Sequence, residues 1–130
     1  LELPDGPLTV EAWLRADAFS ARTGLINKTE NSEFGIFVSK GIATFSLHLD
    51  GKYASVTDDE PLETGRWYHV AGVFDGRELR LYRDGKLVAK REAKGERQTN
   101  RLPLAIGADV DREAEVGLRL LVVACVEQVL

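Results

Sequence analysis

Apolar and polar residues alternate with a period of two through most of the chain before residue 110, and Gly, Asp and Asn interrupt the alternation at short intervals. That period belongs to half-buried β-strands, whose successive side chains point to opposite faces. In Thr9-Val10-Glu11-Ala12-Trp13-Leu14 the alternation puts Val10, Ala12 and Leu14 on one face. Gly24-Leu25-Ile26 is a second short run, ended by the polar stretch 27–33. Phe34 to Val38 and Ile42 to Leu49 follow, parted by Ser39-Lys40-Gly41. In the latter strand Ala43, Phe45, Leu47 and Leu49 form the expected core face. Asp50-Gly51 and Asp84-Gly85 predict tight hairpins, because both turn positions need positive φ. Trp67 to Phe74 is apolar at both parities, which predicts a central strand covered on both sides. Across the Asp84-Gly85 turn, a two-residue loop pairs Tyr82 with Leu87 and Leu81 with Val88. Pro103, which cannot donate to a ladder, predicts an edge or a bulge for Leu102 to Gly107. The tail from Glu113 to Leu130 admits one long strand, two short ones, or a helix over Val122 to Leu130.

Before residue 110 no segment carries a 3.6-residue apolar period, so the expected fold is all-β, a two-sheet antiparallel sandwich or jelly roll. With 130 residues the chain holds one domain, 1–130, and no second core. Its net charge of −4 argues against a nucleic-acid partner. The apolar run Leu120 to Val126 is far short of the roughly 20 residues a membrane-spanning helix requires. A single cysteine, Cys125, allows no intrachain disulfide and is expected in an apolar strand as a small hydrophobe.

Four pieces in order carry a resemblance: Leu8 to Leu14, Gly65 to Ala71 with Trp67-Tyr68-His69, Leu79 to Lys86 with Asp84-Gly85, and Leu104 to Gly107. Over roughly residues 1–112 they resemble the landmarks of laminin-G-like and pentraxin-like jelly rolls, in the concanavalin A-like lectin/glucanase group. The chain starts inside the region where such domains have an earlier strand. It also lacks their closing aromatic-Gly-x-Ile-Asp-Glu-Val strand, so truncation or divergence is expected at both ends. The resemblance implies a non-catalytic recognition module of a larger extracellular or cell-surface protein, binding a glycan or an extracellular protein. It places Trp13 and Trp67 at core positions and His69 as a packed strand residue.

Further site expectations come from the same resemblance. Pentraxins bind calcium through an acid-Asn pair in one loop and acids in another; the matching positions here are Glu30 and Asn31, then Asp109 and Asp111 with the Val110 carbonyl. Such a set suits a cation that takes roughly six to eight oxygens. The competing reading is that these are solvated loop acids. Tyr53, after the Asp50-Gly51 turn, is the expected exposed aromatic for ligand contact. Glycoside hydrolases share the architecture, but need two carboxylates about 5–10 Å apart. The one similar run, Asp109-Val110-Asp111-Arg112-Glu113, falls where the family has a loop, so catalysis is not expected. No Gly-x-Ser-x-Gly, His-Glu-x-x-His or phosphate-binding glycine loop occurs. The alternatives are a glycoside hydrolase or sialidase-associated domain, and a structural spacer or self-assembly domain of a surface protein. The basic residues Lys90, Arg91, Lys94, Arg97 and Arg101 read as a solvated hairpin, and Asp58-Asp59-Glu60 as an ordinary loop. Asn27-Lys28-Thr29 is an N-glycosylation sequon.

Overall fold

In the computed structural model, described over residues 6–19, 22–28, 34–97, 105–106 and 120–127, ten strands form two sheets. They are β1 (Leu8–Ala16), β2 (Thr23–Lys28), β3 (Phe34–Ser39), β4 (Ile42–Leu49), β5 (Lys52–Thr57), β6 (Tyr68–Phe74), β7 (Glu78–Arg83), β8 (Lys86–Glu92), β9 (Ala105–Ile106) and β10 (Leu120–Glu127). The first sheet runs β10-β1-β6-β7-β8 and the second β5-β4-β3-β2-β9, every pair antiparallel. The all-β sandwich expected from the alternation is therefore the fold. Within the tail the described residues 120–127 form the strand β10, paired with β1 from Thr9↔Glu127 to Ala16↔Leu120, with Cys125 inside it. The short β9 sits at a sheet edge, as the neighbouring proline implied.

The core is made of alternate residues from both inner faces. Leu8, Val10, Leu14, Tyr68, Val70, Phe74, Leu79 and Leu81 of the first sheet meet Ile36, Val38, Phe45, Leu47 and Val56 of the second. At its centre the Phe45 ring lies against Gly72, where a built Cβ would stand 2.5 Å from ring carbons. Hairpins supply the sharp reversals: Lys40-Gly41, Asp50-Gly51 and Asp84-Gly85 all have positive φ at both positions, the geometry that continues the right-handed twist of the strands.

Four expectations need correction. β6 is central, but only its inner face lies in the core; His69 and Val73 on the other side are half-exposed. Tyr82 does pair Leu87, yet a bulge moves Leu81 from Val88 to Ala89. Asp58 is not a solvated loop acid: it is buried and receives Arg83 Nη1 at 2.7 Å. Arg97 is not part of a solvated hairpin either, being buried, bridged to Leu49 and donating from Nε to the Gly6 carbonyl. Both charged groups are buried because each has a specific partner.

Between β6 and β7, Asp75 Oδ1 accepts the backbone N–H groups of Arg77 at 2.9 Å and Glu78 at 2.8 Å. The first of these bonds, then the second, and the facing Arg80 guanidinium hold the Asp75 carboxyl below its ordinary value of 3.8, against a smaller desolvation effect. A depressed folded-state pKa stabilises the protein above the unfolded value and stops doing so as pH falls through the folded one. In acid urea titrations, Asp75→Asn is expected to flatten the loss of stability below about pH 4. An unchanged acid slope would show that Asp75 does not contribute to it. Gly72→Ala is expected to cost about 1–3 kcal/mol in urea unfolding, because Phe45 must leave its rotamer or the sheets must part. Adding Phe45→Leu should recover part of that loss, whereas strictly additive losses would exclude the contact as the cause.

Candidate functional site

Because Val10, Ala12 and Leu14 face inward, Glu11, Trp13 and Arg15 of β1 face outward. The β1–β6 register sets Trp13 opposite His69, with Glu11 opposite Ala71. The Trp13 and His69 rings pack at 5.0 Å between centroids, tilted by 53°. His69 Nε2 lies 3.5 Å from Glu11 Oε1. Trp67, immediately before β6, keeps the parity of His69, and the Arg15 guanidinium lies over its ring at 5.8 Å. The result is a cluster of two indoles, an imidazole, a carboxylate and a guanidinium on the outer face of the first sheet.

Trp13 is 49% exposed and Trp67 44% exposed. They are surface residues, not the core residues that the resemblance implied. Each indole leaves on the order of 100 Å² uncovered, roughly 2–3 kcal/mol of burial not realised in the isolated domain. The alternation held the signal: a core face made of Val10, Ala12 and Leu14 cannot also contain Trp13. His69 behaves as expected, as a packed strand residue. Its backbone is fixed by the hairpin turn, with Asp84 N donating to His69 O at 2.7 Å and His69 N donating to Asp84 Oδ1 at 2.8 Å.

Tyr53 is exposed at 44%, as expected, but lies on β5 of the second sheet, away from the Trp cluster. Its ring meets the buried His48 edge-on at 4.8 Å. Below it the same strand pair carries hydroxyl rungs, Ser46–Ser55 at 2.7 Å and Thr44–Thr57 at 3.0 Å. Glu30, Asn31, Asp109 and Asp111 lie outside the described residues, as do Arg101 and the run Asp109 to Glu113. Among the described residues, no group of three or more His, Cys, Asp or Glu side chains is placed to hold a metal ion. Asn27 of the sequon is fully buried within β2, so in the folded domain it is closed to glycosylation.

A laminin-G family model described as the concanavalin A-like lectin/glucanases superfamily matches residues 1–118. The chain belongs to this superfamily. As a concanavalin A-like domain it is 31% identical over 107 residues to mouse (Mus musculus) pappalysin-1, covering 68% of this chain and 7% of that protein. It is 37% identical over 57 residues to the human (Homo sapiens) laminin subunit alpha-3, covering 44% of this chain and 2% of that one. The concanavalin A-like fold also matches the binding domain of Paraclostridial Mosquitocidal Protein 1, with a TM-score of 0.73, 15% identity, and 95% of this chain on 34% of that one. A structure of botulinum neurotoxin type C, whose uptake into cells depends on two ganglioside molecules, matches with a TM-score of 0.57 and 15% identity, over 75% and 28% of the two chains. This chain thus spans a small fraction of these relatives' own lengths.

Proposed function

We propose that this domain is a non-catalytic carbohydrate-recognition module of a larger extracellular protein, and that it binds through the outer face of its first sheet. The observation that carries the proposal is the pair of half-exposed indoles, Trp13 and Trp67, grouped with His69, Glu11 and Arg15 on a rigid sheet. A pyranose presents an apolar C–H face and a rim of hydroxyls. Indole faces match the first, and a carboxylate and a guanidinium match the second. Superfamily membership and the ganglioside dependence of a similarly folded neurotoxin support a glycan ligand. An extracellular protein ligand would use the same aromatic and arginine chemistry, and is the other outcome of the test below. Hydrolysis is not part of the proposal, because it needs two facing carboxylates and, among the described residues, Glu11 is the one carboxylate of this cluster.

Calcium binding by Glu30, Asn31, Asp109 and Asp111 belongs to the proposal on the resemblance alone. When bound, the ion would add a hard electrophilic contact for ligand oxygens.

Trp13→Ala and Trp67→Ala are each expected to weaken glycan binding about tenfold or more, with little change in the melting temperature. Glycan-array screening followed by calorimetry on the best ligand checks this. Undiminished glycan affinity in both variants would exclude the face, and binding to extracellular proteins with no array signal would move the assignment to a protein ligand. For calcium, the thermal midpoint is expected to rise with the ion and fall with EDTA. Saturation at about 100 times Kd is worth about 2.7 kcal/mol. Asp109→Ala should abolish the response, and a chelator-insensitive midpoint would remove calcium from the proposal.

A further inference from the structure

A recess lies at one end of the sandwich, between the β5–β6 connection and the tip of the β7–β8 hairpin. It encloses about 340 Å³ and its lining includes Glu63, Arg66, Tyr68, Arg83, Asp84 and Lys86. Both walls are stitched to the sheets. The connection donates backbone N–H groups from Asp58 to the Ala43 carbonyl at 2.9 Å, from Leu62 to Gly41 at 2.8 Å and from Gly65 to Ala16 at 2.8 Å. The Tyr68 hydroxyl accepts the Glu63 N–H at 2.8 Å. Arg83 is neutralised by Asp58 at 2.7 Å and by Glu60 at 3.1 Å. The hairpin tip is held to β6 through both hydrogen bonds between Asp84 and His69.

What remains for a ligand is specific. Arg66 lies over the Tyr68 ring at 4.7 Å and meets Asp84 Oδ2 at a long 3.3 Å, with most of its guanidinium N–H groups still open. Lys86 has no ion-pair partner among the described residues, and neither does the Glu63 carboxylate. The recess therefore offers two cationic donors for one anion and, beside the Glu60 carboxylate that pairs with Arg83, two further carboxylates, Glu63 and Asp84, that accept hydroxyl hydrogen bonds. A polyanion such as a sulfated chain would meet those carboxylates and be repelled. A single carboxylate bearing neighbouring hydroxyls satisfies every group. Arg66 is also the chain neighbour of Trp67, whose ring belongs to the outer-face cluster.

We propose that this recess is an acidic-sugar subsite: it takes the carboxylate of a sialic or uronic acid residue on Arg66 and Lys86, and the sugar's hydroxyls on Glu63 and Asp84. The assignment rests on the glycan-binding reading of the adjoining Trp13/Trp67 face and specifies its ligand class.

The test titrates the intact domain by NMR and calorimetry with lactose, sialyllactose, sialyllactose methyl ester, a glucuronate-terminated trisaccharide and a heparin hexasaccharide. The free acid is expected to bind about tenfold more tightly than its ester, and the Arg66→Gln/Lys86→Ala double variant to erase that preference while leaving lactose unchanged. Both substitutions are at exposed positions, so the variant retains its fold. Trp13→Ala should weaken acid and ester equally. The glucuronate arm separates the two sources of the carboxylate, tighter binding of either acid supporting the subsite. Equal affinity for acid and ester, a preference that survives the double variant, or strongest binding to heparin would overturn the subsite while leaving the indole face standing. If no saccharide binds, the subsite and the glycan reading fall together.

Discussion

The two sheets can approach closely enough to share one core because Gly72 leaves room for the Phe45 ring at the middle of the sandwich. Sheets packed face to face sit about 10 Å apart, a gap filled by interdigitating side chains. Gly72 is paired on one side with Val10 of β1 and on the other with Leu81 of β7, so the ring rests on the central backbone of the first sheet. Every inward residue around it is buried in register with that contact. With the inner face so determined, the parity of β1 and β6 is fixed, and Glu11, Trp13, Arg15 and His69 have no place except the outer face. The candidate site is thus a geometric consequence of how the core packs.

Much of the acidic excess is used internally. Asp75 accepts two turn N–H groups, Asp50 accepts Glu96 N at 2.9 Å, Asp84 accepts His69 N, and Asp58 neutralises Arg83. In each of the first three the short side chain stands in for a backbone carbonyl where the chain turns away from its ladder. A net charge of −4 therefore says little about what the surface offers a ligand. At the two proposed contact regions, the described acids are Glu11 beside the indoles, and Glu63 with Asp84 at the recess.

The period-two pattern made the strands legible, and the Asp50-Gly51 and Asp84-Gly85 pairs located two of their hairpins, because both signals are local and depend on backbone geometry alone. Features that depend on distant partners were hidden. Asp58 looked solvated because Arg83, which buries it, stands 25 residues away. Arg97 looked like one more surface cation because its bridge to Leu49 and its bond to Gly6 cross the whole chain. The bulge that shifts Leu81 onto Ala89 leaves no mark in composition. For Trp13 the local signal was present but was outweighed: its family position argued for the core, while the plain alternation of Val10, Ala12 and Leu14 already argued against it. For Trp67 the family position was not opposed locally, because the run Trp67 to Phe74 is apolar at both parities.

Asp84 links the two proposed contact regions. Its backbone N–H and one carboxylate oxygen are committed to His69, which carries the ring packed on Trp13, while the other oxygen reaches Arg66 at the rim. A hairpin turn in the left-handed conformation thus sets the height of β6 under the indoles and the position of the guanidinium beside them. Association costs conformational freedom wherever a site must be ordered on binding. Here the groups that would contact a ligand sit on ladder-bonded strands, on a turn locked to one, or on the β5–β6 connection, which is hydrogen-bonded back to the sheets. Most of that ordering is complete before any ligand arrives, which is what the proposed recognition of weakly bound, strongly hydrated sugars requires.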